Sequence, residues 1–183
     1  MPNWCICELT VSGPKKVLDE FVKQAKQVKT KDSNKSEFSL AKFVPIPKKE
    51  EANWYDWCVE NWGTKWDLDG ADCDRPSDKQ VKYGFHSAWS PPLEALDKIA
   101  ELFPKLKLEI IYDEPGMCFE GERVWENGAV IEDGFSQNED YTGILCGPPD
   151  AEDEDDNGDD DQGNSLPDPP KAKPAKKKAK AKK

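Results

Sequence analysis

The apolar residues of this chain switch between two spacings in a fixed order, and that order restricts the fold more than any other feature of the sequence. Trp4 to Val11 alternates, with Cys5, Cys7, Leu9 and Val11 on one face and Trp4, Ile6, Glu8 and Thr10 on the other. This is the period of a half-buried strand, and the first set is expected to meet helices. Val17, Leu18, Phe21, Val22, Ala25 and Val28 then recur at helical spacing behind Ser12, Gly13 and Pro14, which offer an N-cap and a proline-tolerant first turn. A lysine-rich stretch near Lys29–Lys35 separates this helix from a second predicted strand, Phe38–Val44, closed by Pro45 and Pro47. Gln80–Trp89 predicts a third strand, with Val81, Tyr83, Phe85 and Trp89 at alternate positions. Leu93, Leu96, Ile99, Ala100 and Phe103 give a second helical stripe behind Ser90, Pro91 and Pro92, and Pro104 stops it. Leu106, Leu108, Ile110 and Tyr112 alternate as a fourth strand.

Between the second and third strands lies an insertion. Lys49–Trp62 predicts a helix with Trp54, Trp57, Cys58 and Trp62 near one face and Gly63 as its C-terminal cap, followed by a short extended piece through Thr64, Trp66 and Leu68. Asp69–Lys79 holds four aspartates, but Gly70 and Ala71 fall wrongly for a calcium loop, so a solvated loop is expected. Met117–Trp125 and Ala129–Glu132 flank Asn127-Gly128, a strong hairpin signal. Without the insertion the order is strand, helix, strand, strand, helix, strand. This predicts an α+β chain of the ferredoxin-like split βαβ type, an antiparallel sheet with two helices on one face, with the hairpin extending the sheet or covering an edge.

Composition divides the chain at Pro149. Residues 1–149 hold all seven Trp, all seven Phe and all four Tyr, enough aromatic surface for a folded domain. Residues 150–183 run from the acidic block Asp150–Asp161 to a lysine, alanine and proline block, neither with the apolar residues that offset the entropy of ordering, so a disordered tail is expected. The tail holds eight of the 26 basic and ten of the 37 acidic residues, which leaves the body acidic, 27 against 18. That balance disfavours the body as a nucleic-acid surface and favours a protein partner found by electrostatic steering. Lys171, Lys173, Lys176, Lys177, Lys178, Lys180, Lys182 and Lys183 can neutralise backbone phosphates. The plainer reading of the tail is solubility, its two blocks partly neutralising each other. No stretch approaches a membrane span, and no signal segment is visible, so a cytoplasmic chain is expected. The six cysteines then read as reduced thiols, without the spacing of a zinc or iron-sulfur site, and no cofactor is expected.

The chemistry-bearing candidates cluster around N-W-G-T-K-W-D, Asn61–Asp67. Trp62, Thr64, Lys65, Trp66 and Asp67, joined by His86 and Trp89, form the candidate interface or pocket. In the competing reading the tryptophans cover the sheet and Lys65 pairs with Asp67 or a neighbour at the surface. An enzyme acting on a small molecule or nucleotide would centre on Lys65, Asp67 and His86, with Ser87, Ser90 and Glu114 as companions, yet no nucleophile motif is present and His86 points opposite to Ser87 on a strand. Glu114, Glu120 and Glu122 beside Gly116 and Gly121 suggest a metal site, but the two glycines are explained by turns and a bulge, and no metal is expected. Trp4 and Ile6 on the outer sheet face have the place of base-stacking residues, but their acidic surroundings oppose it.

M-P-N-W-C at Met1–Cys5, N-W-G-T-K-W-D at Asn61–Asp67, A-W-S-P-P at Ala88–Pro92 and Y-D-E-P-G-M-C-F-E-G at Tyr112–Gly121 resemble the YubB-like family of plasmid and phage proteins, over about Met1–Gly134. The resemblance implies a ferredoxin-like domain, with no cluster, encoded on a mobile genetic element, and supplies no catalytic residues. The expected function is that of a non-enzymatic phage or plasmid accessory protein that binds a host or phage protein in the host cytoplasm, with the tail as a weak, non-specific nucleic-acid contact. The alternatives are a nucleic-acid-binding module and the enzyme centred on Lys65, Asp67 and His86.

Overall fold

The computed structural model describes residues 3–27, 36–68 and 70–145, all within one compact unit, Met1–Asp150. The tail and its eight lysines lie outside the described residues. Six strands form one antiparallel sheet: β1 (Trp4–Ser12), β2 (Asp72–Ser77), β3 (Gln80–Ala88), β4 (Lys107–Glu114), β5 (Phe119–Glu126) and β6 (Ala129–Gln137), in the order β2-β3-β1-β4-β5-β6. Helices α1 (Lys15–Ala25) and α3 (Leu93–Leu102) supply the two crossovers of a ferredoxin-like arrangement, and α2 (Trp54–Trp62) belongs to the insertion. The hairpin extends the sheet beyond β4, as β5 and β6. Its turn residues Asn127 and Gly128 both have positive φ, 55° and 79°, the conformation that suits the twist of the paired strands.

One face of the sheet carries the core. Cys5, Cys7, Leu9 and Val11 of β1, Val81, Tyr83 and Phe85 of β3, and Leu108, Ile110 and Tyr112 of β4 are buried against Leu18, Phe21 and Ala25 of α1 and Leu96, Ile99 and Ala100 of α3. Cross-strand register puts Ile6, Glu8, Lys82, Gly84, His86, Glu109, Asp113 and Glu120 on the opposite, outer face. Cys5, Cys7, Cys58, Cys73 and Cys118 are free. Burial raises the Cys58 thiol to about 12, with Asp67 adding to the shift, so it behaves as a small apolar side chain.

The second strand of the fold is not the one the pattern pointed to. Phe38–Val44 contains the 3-10 turn Leu40–Lys42 instead, and its apolar side chains Phe38, Leu40 and Phe43 all enter the core. The backbone N–H groups of Leu40 and Ala41 donate to the Asp67 carboxylate rather than to a neighbouring strand, which leaves no ladder for this stretch. The strand is β2, within the segment expected to be a solvated loop. It is polar because it lies at the sheet edge, where Asp72, Asp74, Arg75 and Pro76 are exposed and only Ala71 and Cys73 turn inward. Lys48–Asn53 is a 3-10 segment ahead of α2, so the insertion helix is shorter than Lys49–Trp62. Thr64–Leu68 is irregular, and neither Ser12 nor Ser90 caps a helix with its side chain: Pro14 and Pro92 occupy those positions.

Candidate functional site: an aromatic patch around Lys65

Helix α2 turns one face inward and leaves the other without cover. Cys58 and Trp62 are buried, Trp54 and Trp57 half-buried, and Tyr55 and Val59, one helical turn apart, exposed. Gly63 ends the helix with φ 76°, its N–H donating to the Val59 carbonyl at 3.1 Å, a left-handed cap that glycine adopts without steric cost. The chain then runs to the end of β3. The Thr64 hydroxyl donates to the Ala88 carbonyl (2.9 Å) and accepts the Ala88 N–H (3.1 Å), while the Ser90 hydroxyl donates to the Gly63 carbonyl. The Trp89 N–H donates to the Asn3 carbonyl at 2.9 Å. These bonds hold the insertion, the start of β1 and the end of β3 together.

The result is an aromatic patch with a cation inside it. Lys65 Nζ stands 4.6 Å from the centre of the Trp66 ring, 4.9 Å from that of Trp89 and 6.0 Å from that of Tyr55. Such contacts are worth about 0.5–1 kcal/mol each at exposed sites. Tyr55 meets Trp89 edge-on at 6.3 Å, Trp66 meets Trp4 at 6.2 Å, and Trp4 meets His86 at 6.4 Å, so the aromatic surface continues onto the outer face of the sheet. Trp89 is 40% exposed and Tyr55 38% exposed. The φ of Trp89 is 72°, a conformation that costs a bulky residue strain and that the surrounding bonds hold in place.

The seven residues singled out in the sequence therefore divide. Lys65, Trp66, His86 and Trp89 share the patch. Trp62 is only 2% exposed and donates through Nε1 to the Val44 carbonyl at 2.9 Å, so it is a core residue. Thr64 is buried and spends its hydroxyl on Ala88. Asp67 makes no pair with Lys65: its carboxylate accepts the Ser39 hydroxyl (2.6 Å) and the N–H groups of Leu40 (2.6 Å), Leu68 (2.8 Å) and Ala41 (3.3 Å). Burial raises its pKa, and those four donors oppose the rise. Tyr55 belongs to the patch, Val59 is exposed one helical turn along from it, and neither was singled out. The signal that marks them is their i, i+4 spacing, which puts them on one stripe of α2 bordering the buried side that carries Cys58 and Trp62.

The companions weighed for acid-base chemistry lie apart. His86 is on the outer face, whereas Ser87 is buried on the helix side with its hydroxyl donating to the Ser90 carbonyl at 2.7 Å. Glu114 is buried and accepts the N–H groups of Gly116 (3.2 Å) and Met117 (2.5 Å), the role of a turn cap. A shallow depression beside His86 is lined by Ile6, Glu8, Gly70, Asp72, Gly84 and Leu145, and neither Lys65 nor Asp67 lines it. Among the described residues no three His, Cys, Asp or Glu side chains gather as metal ligands, and no helix is long and apolar enough to cross a membrane.

Two acidic residues on the outer face hold the end of the described chain. Asp113, buried, accepts the Tyr141 hydroxyl (2.6 Å) and the Leu145 N–H (3.1 Å). Glu120 accepts the Thr142 hydroxyl (2.7 Å) and the N–H groups of Thr142 (3.1 Å) and Ile144 (2.8 Å). Burial alone would raise the Glu120 pKa, but the donors of Thr142, Gly143 and Ile144 together hold it below the ordinary carboxylate value. Residues 138–145 thus form a strap over β4 and β5.

The crystal structure of a protein api92 from Yersinia pseudotuberculosis is similar to this chain with a TM-score of 0.59 at 10% identity, over 75% of this chain and 99% of that one, a likeness that shows the fold. No curated protein matches the chain. The family described as "Ferredoxin-like domain in Api92-like protein" matches residues 61–158, from the start of the N-W-G-T-K-W-D stretch through the last five strands and the strap, and the chain belongs to it.

Proposed function

We propose that this chain is a non-enzymatic accessory protein of a phage or plasmid, of the YubB-like kind, that acts by binding another protein in the host cytoplasm through the patch of Tyr55, Lys65, Trp66 and Trp89, with Val59 beside it. The observation that carries the reading is Trp89: a large indole held two-fifths exposed by a left-handed backbone, beside an exposed tyrosine and with an ammonium ordered between the rings. Interface hot spots favour rigid aromatic surface, because few rotamers are lost when it is covered. The scattered placement of His86, Ser87, Glu114 and Asp67 gives no support to the enzyme alternative. Affinity capture from a host lysate with the full chain, a variant ending at Pro149 and the double variant Tyr55→Ala/Trp89→Ala tests the reading. A specific partner retained without the tail and lost from the double variant, with thermal unfolding unchanged, supports it. Capture that survives the double variant, or that yields no specific partner, overturns it.

A second reading rests on the sequence of residues 171–183, whose eight lysines suit weak, sequence-independent contact with nucleic acid. It adds a tether to the protein-binding role and does not compete with it.

A further inference from the structure

The two edges of the sheet are built differently. At one edge, β2 carries Arg75 and Pro76 and has its register broken between Asp74 and Ser77, features that discourage another strand from pairing there. At the other edge, β6 runs for nine residues, A-V-I-E-D-G-F-S-Q, without proline, lysine or arginine. It pairs with β5, and the single register shift of that pair lies near the hairpin turn. Val130, Ile131 and Phe135 are exposed there, Ile131 at 51% and Phe135 at 63%. The strap leaves β6 at Asn138 and is tied to Asp113 on β4 and Glu120 on β5, so its bonds draw it over the outer face, and among the described residues no strand pairs with the far side of β6.

Charge decides what such an edge accepts. From Val124 to Leu145 the chain has no basic residue, while Glu126, Glu132, Asp133, Glu139 and Asp140 are acidic. Arg123 neutralises Asp133 through two 2.9 Å bonds, and Lys107, already paired with Glu109, is within electrostatic reach of Glu132 and Glu126. No ion pair holds Glu126, Glu132, Glu139 or Asp140 among the described residues. A second copy pairing through the same strand brings this acidic set against itself, and like charges on adjoining strands destabilise the pair. The same charges favour a strand of opposite sign.

We infer that the open edge of β6 accepts an extended segment of a partner protein, alternately apolar and basic, as an added strand. The backbone groups on the far side of β6 supply its hydrogen bonds, Val130, Ile131 and Phe135 meet its apolar side chains, and Glu132 meets its cations, with Glu126 on β5 adding to the negative field. This surface is separate from the aromatic patch, which lies beyond the end of β3.

The test uses the full chain and a short synthetic peptide alternating lysine and valine, followed by amide hydrogen exchange of β6 at low salt. The expected result is slowed exchange in β6 on peptide addition, no such change with a peptide carrying glutamate for each lysine, and binding several-fold weaker in Glu132→Lys. Ile131→Pro, which puts a proline on the edge, is expected to abolish the slowing. Phe135→Lys serves the same purpose if the proline disturbs the near-ultraviolet signal of Trp125. Tyr55→Ala/Trp89→Ala is expected to leave peptide binding unchanged, so this inference and the proposed role of the patch fail separately. Absence of binding, binding without slowed β6 exchange, indifference to Glu132→Lys, or dimers of the free chain with protected β6 amides each overturns it.

Discussion

Trp62 and Trp66 flank one glycine-threonine-lysine stretch, yet only the first is locked into the core. Trp62 packs edge-on to Trp57 at 5.6 Å and satisfies its indole N–H at Val44, whereas Trp66 stays half-exposed between Lys65 and Trp4. Trp62→Ala is expected to cost ~3–5 kcal/mol and Trp66→Ala less than ~2 kcal/mol in urea denaturation, the difference between emptying a core site and trimming a surface one. Equal losses would place both rings in the core. Asp67 is the charged counterpart of Trp62. Removing its carboxylate in Asp67→Ala leaves the N–H groups of Leu40, Ala41 and Leu68 without an acceptor, an expected loss of ~2–3 kcal/mol. Because its folded pKa is raised above 3.8, its contribution is greatest below that value and declines as pH rises through the folded pKa, and Asp67→Asn should remove this component from the pH profile of stability.

At the scale of elements, β5 explains how the hairpin joins the sheet. Gly121 sits where a Cβ would run into the Gly134 carbonyl oxygen of β6 and the Tyr112 ring of β4, so Gly121→Ala forces backbone or ring to move. The expected cost is ~1–3 kcal/mol in a thermal or urea melt, and a neutral result would show that the Tyr112 ring moves aside freely. The strap depends on a different kind of bond. Glu120 has a folded pKa below its ordinary value of 4.5, so its stabilising contribution is complete above that value and is lost as pH falls through the lower folded one. Wild type should therefore lose more stability between about pH 6 and about pH 3 than Glu120→Gln does, measured by urea midpoint. Parallel losses would mean that the strap is indifferent to the charge on Glu120.

For the whole molecule, charge separates the roles of body and tail. The full chain is expected to bind duplex DNA weakly and without sequence preference, with log affinity falling against log salt at a slope no steeper than ~7. Removing Lys171–Lys183 should abolish binding, and deleting Asp150–Asp161 should strengthen it, because those acids repel DNA and compete for the lysines. Titrations at several salt concentrations decide the matter. If a chain ending at Pro149 binds as well as the full one, the nucleic-acid contact belongs to the body.

Elements whose periodicity reports burial were legible from the residues alone. β1, β3 and β4 alternate because one face meets helices and the other does not, α1 and α3 repeat at helical spacing for the same reason, and Asn127-Gly128 marks a turn few other residue pairs form. Tertiary structure decided the rest. Phe38–Val44 has the apolar content of a strand, but Asp67, distant in sequence, takes the backbone donors a strand would need. β2 has the polarity of a loop, because an edge strand with a solvated outer face buries almost nothing. The patch shows the same division: the tryptophans and Lys65 were visible as a cluster, while the exposure of Tyr55 and Trp89, the burial of Trp62 and the placement of an ammonium between rings depend on how the insertion docks on the end of β3. Local pattern reports coverage where one face of an element is buried along its whole length, and only the assembled fold determines it where a segment is covered by a residue distant in sequence.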